Sequence, residues 1–406
     1  MKTILPKIKF KKFYEKWNRK KLQSIAPLRG GFAFKSEEFQ DSGIPIVRIS
    51  NIKFDGTVGG EFEYYSKINP DEKFVLRGRS ILLAMSGATT GKIAMLDSEE
   101  EYYQNQRVGY FQNTGAVDYD FLSFILQTKE FTNQLNSVLV AGAQPNISSK
   151  EINSFVFYIP ESLDEQSSIG SLFRTLDDLL ASYKDNLANY QSLKATMLSN
   201  MFPKAGQTIP KIRLDGFEGE WEEKKLSEIV DIVGGGTPDT NVKEYWDGEI
   251  NWFSPTEVGN SIYLDTSEKR ISELGLQKSS AKILPANRTI LFTSRAGIGS
   301  VGIITKDSTT NQGFQSLVTK KGIDIYFLFS YSSEITRYAL KHSAGSTFLE
   351  ISGKELGKMD IIIPSYDEQK AIGAYFSNLD NLINSHQEKI SQLETLKKKL
   401  LQDMFI

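Results

Sequence analysis

The chain has 406 residues, 40% of them apolar and 24% charged, so it is long enough for two domains and can build sizeable cores. It has no cysteine and only two histidines, His342 and His386, which excludes disulfides and thiolate chemistry and leaves little material for a histidine metal centre or a Ser-His-Asp machine. The net charge of −2 gives no whole-chain bias toward nucleic acid, but a DNA reader needs a basic face rather than a basic average, and this composition permits one.

Taken in chain order, Met1-Lys2-Thr3-Ile4 meets charge at once and lacks a signal-peptide core. No apolar run approaches the ~18–20 residues of a membrane span, so a cytoplasmic location without a membrane partner is expected. Lys7, Lys9, Lys11, Lys12, Lys16, Arg19, Lys20 and Lys21 then form the one regional bias toward phosphate. Residues 44–49 and 81–85 read as strands and residues 119–135 as a helix. Pro70-Asp71-Glu72-Lys73 has nuclease-like residue types but reads as a charged surface turn. Gly87-Ala88-Thr89-Thr90-Gly91-Lys92 resembles a phosphate loop, yet it is one residue short between its glycines, and Ile93 stands where a hydroxyl should hold magnesium. Glycines allowing positive φ in a turn explain it better.

Residues 164–202 carry Ile169, Phe173, Leu176, Leu180, Leu187, Tyr190, Leu193, Met197 and Met201 at steps of mostly three and four, one apolar stripe on a long helix. The second half repeats the first. Residues 367–405 align with 164–202 without a gap at an offset of 203, with 15 of 39 positions identical, Asp-Glu-Gln at the start and Met-Phe at the end. Its stripe is Ile372, Phe376, Leu379, Ile383, Ile390, Leu393, Leu396, Leu400 and Met404. Trp17, Arg79, Asn105-Gln106 and Ala141-Gly142 return as Trp221, Arg288, Asn311-Gln312 and Ala344-Gly345. Residues 290–292 and 361–363 read as strands, 325–340 as a helix, and Gly234 to Pro238 and Gly297-Ile298-Gly299 as turns.

The expected architecture is therefore α+β: two similar globular domains, 1–159 and 204–363, each followed by a spacer helix, 160–203 and 364–406. A helix of 39 residues spans roughly 58 Å, beyond the ~25–30 Å width of one such globule. Two rods with matching stripes can pair as a coiled coil, and connectivity favours an antiparallel pair; each helix capping its own domain is the alternative.

No catalytic pattern stands out. The Gly-x-Gly-x-x-Gly cofactor fingerprint is missing, and no Pro-Pro pair is available for an amine-methylation loop. Basic residues in expected loops (Arg48, Lys53, Arg107, Lys243, Lys282 and Arg295) are the candidates for DNA contact, arginine for guanine edges and lysine for the backbone. Arg295 lies in a tight glycine turn, so a structural role competes.

The duplicated plan resembles the specificity subunit of Type I restriction-modification systems. The resemblance is carried by Pro210-Lys211-Ile212-Arg213-Leu214, Gly216-Phe217, Gly219-Glu220-Trp221, Gly235-Gly236-Thr237-Pro238, Asn311-Gln312-Gly313 and the two Ile-Pro…Asp-Glu-Gln segments. The first half departs from it with Gly30-Gly31-Phe32-Ala33 in place of Gly-Gly-Thr-Pro, and with Arg107 in place of the glycine of Asn-Gln-Gly. The resemblance implies two target-recognition domains, each reading half of a bipartite site in double-stranded DNA, with the helix pair as spacer. It also implies a chain with no catalytic, metal or cofactor site of its own. Two modification subunits would bring S-adenosylmethionine, and restriction subunits ATP and magnesium. The rival is a coiled-coil adaptor that binds protein and does not read DNA.

Overall fold

The computed structural model describes residues 5–139, 146–204, 206–295, 297–345 and 349–405; Met1 to Ile4, Ala141, Gly142 and Ala296 lie outside them. The chain divides into two compact units, residues 1–184 with 388–406, and residues 185–387. Each combines one globule with a part of both long helices, α1 (Leu163–Asn200) and α2 (Tyr366–Met404).

The first unit is layered, and the strand Ser80–Ala84 shows why. It is buried at every position, so both of its faces are covered. Alternate side chains point to opposite faces. Ile81 and Leu83 join the core under the helices with Phe121, Ile125 and Phe173, whereas Leu82 and Ala84 join Val47, Ile52 and Leu76 on the other side. Among the described residues its sheet runs Leu28–Arg29, Val108–Phe111, Ser80–Ala84, Ile93–Leu96, antiparallel throughout. A second sheet runs Glu63–Tyr65, Ile44–Val47, Tyr102–Gln104, Val75–Leu76, with the middle pair parallel.

The second unit repeats the plan. Ile290 and Phe292 of strand Thr289–Phe292 face Phe327, Ile335 and Phe376, while Leu291 faces Phe253, Leu264 and Leu284. Here the sheets run Val230–Gly234, Gln315–Thr319, Thr289–Phe292, Val301–Ile304, Tyr263–Leu264, and Lys269–Ile271, Trp246–Phe253, Ser308–Thr310.

Each short helix expected at 119–135 and 325–340 is in fact two. Tyr119–Ile125 gives way to Lys129–Leu139, where the Thr128 hydroxyl donates to the Ile125 carbonyl and accepts from the Phe131 amide. Ile325–Ser330 gives way to Ser332–His342 at Tyr331, whose amide is shared between the Phe327 and Leu328 carbonyls. Asp118 and Asp324 cap the first member of each pair.

The Ile-Pro…Asp-Glu-Gln segments are structural staples. Gln166 donates to the Pro160 carbonyl at 2.8 Å and accepts from the Asp118 amide at 2.8 Å. Gln369 does the same with Pro364 at 3.0 Å and Asp324 at 3.1 Å. One buried amide thereby ties strand end, long helix and helix cap together in each half.

Helices α1 and α2 pair antiparallel. In the first unit Asp177 meets Lys397 at 2.6 Å and Lys184 meets Glu394 at 2.8 Å. In the second, Tyr190 packs against His386 and Lys194 meets Asp380 at 2.5 Å. Within each unit one number rises as the other falls. Ile169, Phe173, Leu176 and Leu180 of α1 and Ile372, Phe376, Leu379 and Ile383 of α2 are buried, and Leu187, Met197, Ile390 and Leu400 are half-buried.

Leu193 and Leu396 differ from expectation: they are 37% and 44% exposed. The neighbouring seam position is held by Lys194 and Lys397, whose stems lie along the helix pair while their ammonium groups reach Asp380 and Asp177. At ~100° per residue each leucine is turned out of the seam that its lysine occupies.

Candidate nucleic-acid interface

In the first domain three loops meet at one edge of the sheets. The Asn105 amide donates to the Val47 carbonyl at 3.1 Å, and the Met85 amide to the Arg107 carbonyl at 2.9 Å. The Thr89 hydroxyl reaches the Ile49 carbonyl at 3.4 Å. This brings residues 47–53, 85–92 and 105–107 together, and with them Arg48, Lys53 and Arg107. Arg48 is half-buried against Glu63 at 3.2 Å, and its Nε is buried with no partner among the described residues. Lys53 donates to the Ser50 carbonyl at 3.2 Å. Arg107 is exposed and touches the Asn146 side chain at 3.3 Å.

The glycine loop is a turn. Gly87 and Gly91 adopt φ of +77° and +86°, which fits the turn reading, and Lys92 joins the same edge. Lys92 was not among the expected basic candidates, because in the sequence it reads only as part of a phosphate-loop look-alike. The turn at Pro70 keeps the expected surface position at three of its four residues. Asp71 is buried, paired with Lys67 at 2.7 Å, and that ammonium holds its carboxyl below the usual carboxylate range. Lys67, Pro70, Glu72 and Lys73 are exposed, so the segment is a charged surface turn with one carboxylate, Asp71, turned inward. No group of three or more metal-ligating side chains occurs among the described residues.

The second domain builds the same edge with other side chains. The Asn311 amide donates to the Phe253 carbonyl at 3.1 Å and the Ser294 amide to the Gly313 carbonyl at 2.8 Å. These contacts set Ser254, Gly259 and Gly313 where the first domain has Arg48, Lys53 and Arg107. The glycine loop also registers one residue away from the sequence alignment. A Cβ on Gly31 would lie 2.2 Å from the Asn105 carbonyl oxygen, and one on Gly235 would lie 1.9 Å from that of Asn311. Gly31 therefore matches Gly235, and Phe32, whose amide donates to Gln104, matches Gly236, whose amide donates to Thr310. The Thr237 hydroxyl meets the Gln312 side chain at 2.6 Å beside this loop.

The basic candidates of this domain come from elsewhere in the fold. Lys282 is exposed and follows Ala281, which packs on Gly236. Arg295 is half-buried, and its backbone forms an isolated antiparallel β-bridge with Glu350 beside Ser294. Lys243 is exposed on the turn Lys243–Tyr245, at the far end of strand Trp246–Phe253 from Asn311, so the fold does not bring it into the group.

The family model described as the Type I restriction modification DNA specificity domain matches twice, over residues 14–189 and 218–395. The MjaIX specificity subunit of Methanocaldococcus jannaschii is 38% identical over 192 residues, 46% of this chain and 44% of that one. The EcoR124I/EcoR124II specificity subunit of Escherichia coli is 32% identical over 45% of this chain and 46% of that one. The match thus spans under half the length of those two relatives. A putative MjaX specificity subunit, also from M. jannaschii, is 23% identical over 95% of this chain and 92% of that one. The crystal structure of a Type I S subunit from M. genitalium superposes with a TM-score of 0.64 at 15% identity, covering 99% of both chains. A chain from a structure concerned with assembly and conformational transition of a type I R-M system gives 0.52 at 18% identity, covering 95% and 96%. These structures establish the fold. With its domain present twice and more than half of the chain matched, this chain belongs to the Type I restriction-modification DNA specificity family.

Proposed function

We propose that the chain reads a bipartite sequence in double-stranded DNA, one half-site per globular domain, with α1 and α2 as the spacer between half-sites. It positions two modification subunits, which bring S-adenosylmethionine for adenine methylation, and restriction subunits, which bring ATP and magnesium. The observation that carries this reading is the shared edge. The same backbone contacts recur at Asn105 and Asn311, yet the side chains presented there differ: Arg48, Lys53 and Arg107 against Ser254, Gly259 and Gly313. A duplicated scaffold with exchanged residues suits two different half-sites, because arginine can pair with guanine edges while serine is undiscriminating and glycine has no side chain to reach a base.

The test is single-molecule methylome sequencing of a methylation-free host carrying this chain with its modification subunit, compared with the modification subunit alone. A two-part adenine-methylated motif is expected only when this chain is present. A soluble, assembled complex that adds no methylation and shows no salt-dependent DNA affinity would favour a protein-binding adaptor instead.

A further inference from the structure

We infer that Phe54 is a base-stacking contact of the first domain with its DNA half-site; the inference rests on that domain being a DNA reader. Phe54 is 90% exposed at the tip of the loop that follows Asn51. A lone exposed apolar side chain is ordinary on a protein surface. This one is held out by a rigid support. The Lys53 amide donates to the Thr57 carbonyl at 2.9 Å and the Met95 amide to the Gly56 carbonyl at 2.9 Å. Asp55 Oδ1 accepts from the Thr57 amide at 3.0 Å and from its hydroxyl at 2.6 Å. Beneath the loop, the buried Asn51 side chain donates to the Gly59 and Glu61 carbonyls at 3.3 and 2.8 Å. The backbone is tied down on both sides of the ring, while the ring itself meets the Lys92 ammonium.

The surroundings fit a polyanion with stacked bases. Lys53 precedes the ring, Lys92 covers one face, and Arg48 and Arg107 belong to the same group of loops. In a duplex both faces of a base are already stacked, so the ring acts as a wedge at an opened base step while the cations beside it hold the phosphate backbone. A pre-set ring also gives up little conformational freedom on binding. The second domain has Asn260 at the matching place, seven residues past Phe253 as Phe54 is past Val47, so the contact belongs to one half-site only.

The experiment uses the full chain assembled with its modification subunit, on a duplex carrying the motif found by methylome sequencing. 2-Aminopurine is placed in turn at each position of the half-site read by the first domain. Phe54→Ala is expected to weaken binding about tenfold or more, and Phe54→Trp to stay within about threefold of wild type. One 2-aminopurine position should change its emission with wild type and Phe54→Trp but not with Phe54→Ala. Hydrogen-exchange protection of strand Ser80–Ala84 serves as the control for an intact domain. Binding by Phe54→Ala within about twofold of wild type with the emission change retained overturns the inference. So does a variant that fails to join the modification subunit while still folded, since the ring would then be a protein contact. A wild-type complex without sequence-specific affinity overturns the underlying reading as well, which separates the two failures.

Discussion

The two halves bury a glutamate at the same point of the same fold and accommodate it differently. Glu165 and Glu368 are the middle residues of the two Asp-Glu-Gln segments and are 3% and 2% exposed. Glu368 receives Arg213 Nε and Nη2, each at 2.8 Å, and the same guanidinium donates to the Gly219 and Glu218 carbonyls. Trp221 Nε1 is left buried with no acceptor among the described residues. In the first half Lys9 stands where the aligned sequence has Arg213, and it makes no ion pair among the described residues. There Trp17 Nε1 donates to Glu165 Oε1 at 3.1 Å, and Oε2 has no partner among the described residues. Burial pushes the Glu165 carboxyl above its ordinary range, against the opposing pull of the indole bond and Lys9. An arginine fork answers a buried carboxylate with charge; an indole offsets only part of the burial cost, so the carboxyl's affinity for a proton rises.

The largest test of this contrast is to remove each cation. Arg213→Met strands a buried carboxylate and should destabilise the second unit by about 3 kcal/mol, whereas Lys9→Met should cost the first well under about 1 kcal/mol. Hydrogen exchange under denaturant, read separately over strands Thr289–Phe292 and Ser80–Ala84, measures both. Equal losses would break the comparison.

The lysine pins of the helix pair extend it. Asp380 is buried and also accepts from the Tyr326 hydroxyl at 2.8 Å, while the Asp177 side chain is 40% exposed. Lys194→Met should therefore cost about 2 kcal/mol and Lys397→Met about 0.5 kcal/mol, seen as loss of exchange protection in the facing helix segments. The indoles come next. Trp17→Phe takes away the indole donor to Glu165 and should cost about 1 kcal/mol more than Trp221→Phe, which removes an N–H that has no acceptor among the described residues. A larger loss from Trp221→Phe in thermal unfolding would mean that volume, not hydrogen bonding, decides.

These contrasts also mark what was legible in the sequence. The long helices were, because steps of three and four recur at an offset of 203 and a helix needs only local pattern. The exposure of Leu193 and Leu396 was not, because the seam position beside them is a lysine whose partner comes from the other helix. Asp-Glu-Gln was legible as a motif, but the different partners of Glu165 and Glu368 lie about 150 residues away in sequence. At the edge proposed to read DNA the loops were legible as turns. Which cations share an edge was not, because carbonyl contacts such as Val47 with Asn105 and Met85 with Arg107 leave no side-chain signature. Hence the sequence points to Lys243, which the fold places apart from the other candidates, and omits Lys92, which the fold places beside Arg48, Lys53 and Arg107.

The smallest effect is the most specific to Glu165. Its folded pKa is raised by burial, so between the ordinary carboxylate value and that raised value the folded chain holds a proton that the unfolded chain has released. The stability that this group contributes is thus fully present below the ordinary value, declines as pH rises through the window, and levels off above the folded pKa. Other carboxylates of the first unit act in the opposite sense. Asp71 is held low by Lys67, Glu101 by Lys67 and Arg77, and Asp55 by Thr57. Only a difference measurement isolates Glu165. Glu165→Gln keeps an oxygen for the Trp17 indole and cannot ionise. Its stability should match wild type at about pH 4, exceed it by a margin that grows as pH rises through that window, and keep a constant margin above the folded pKa, in urea titrations followed over the first unit. Glu368→Gln gives the counter-test, since it breaks an ion pair and should be less stable than wild type at neutral pH. A Glu165→Gln chain that falls below wild type by one constant amount at every pH would mean that Glu165 is held ionised, and the contrast between the two halves would then lie in the partner alone.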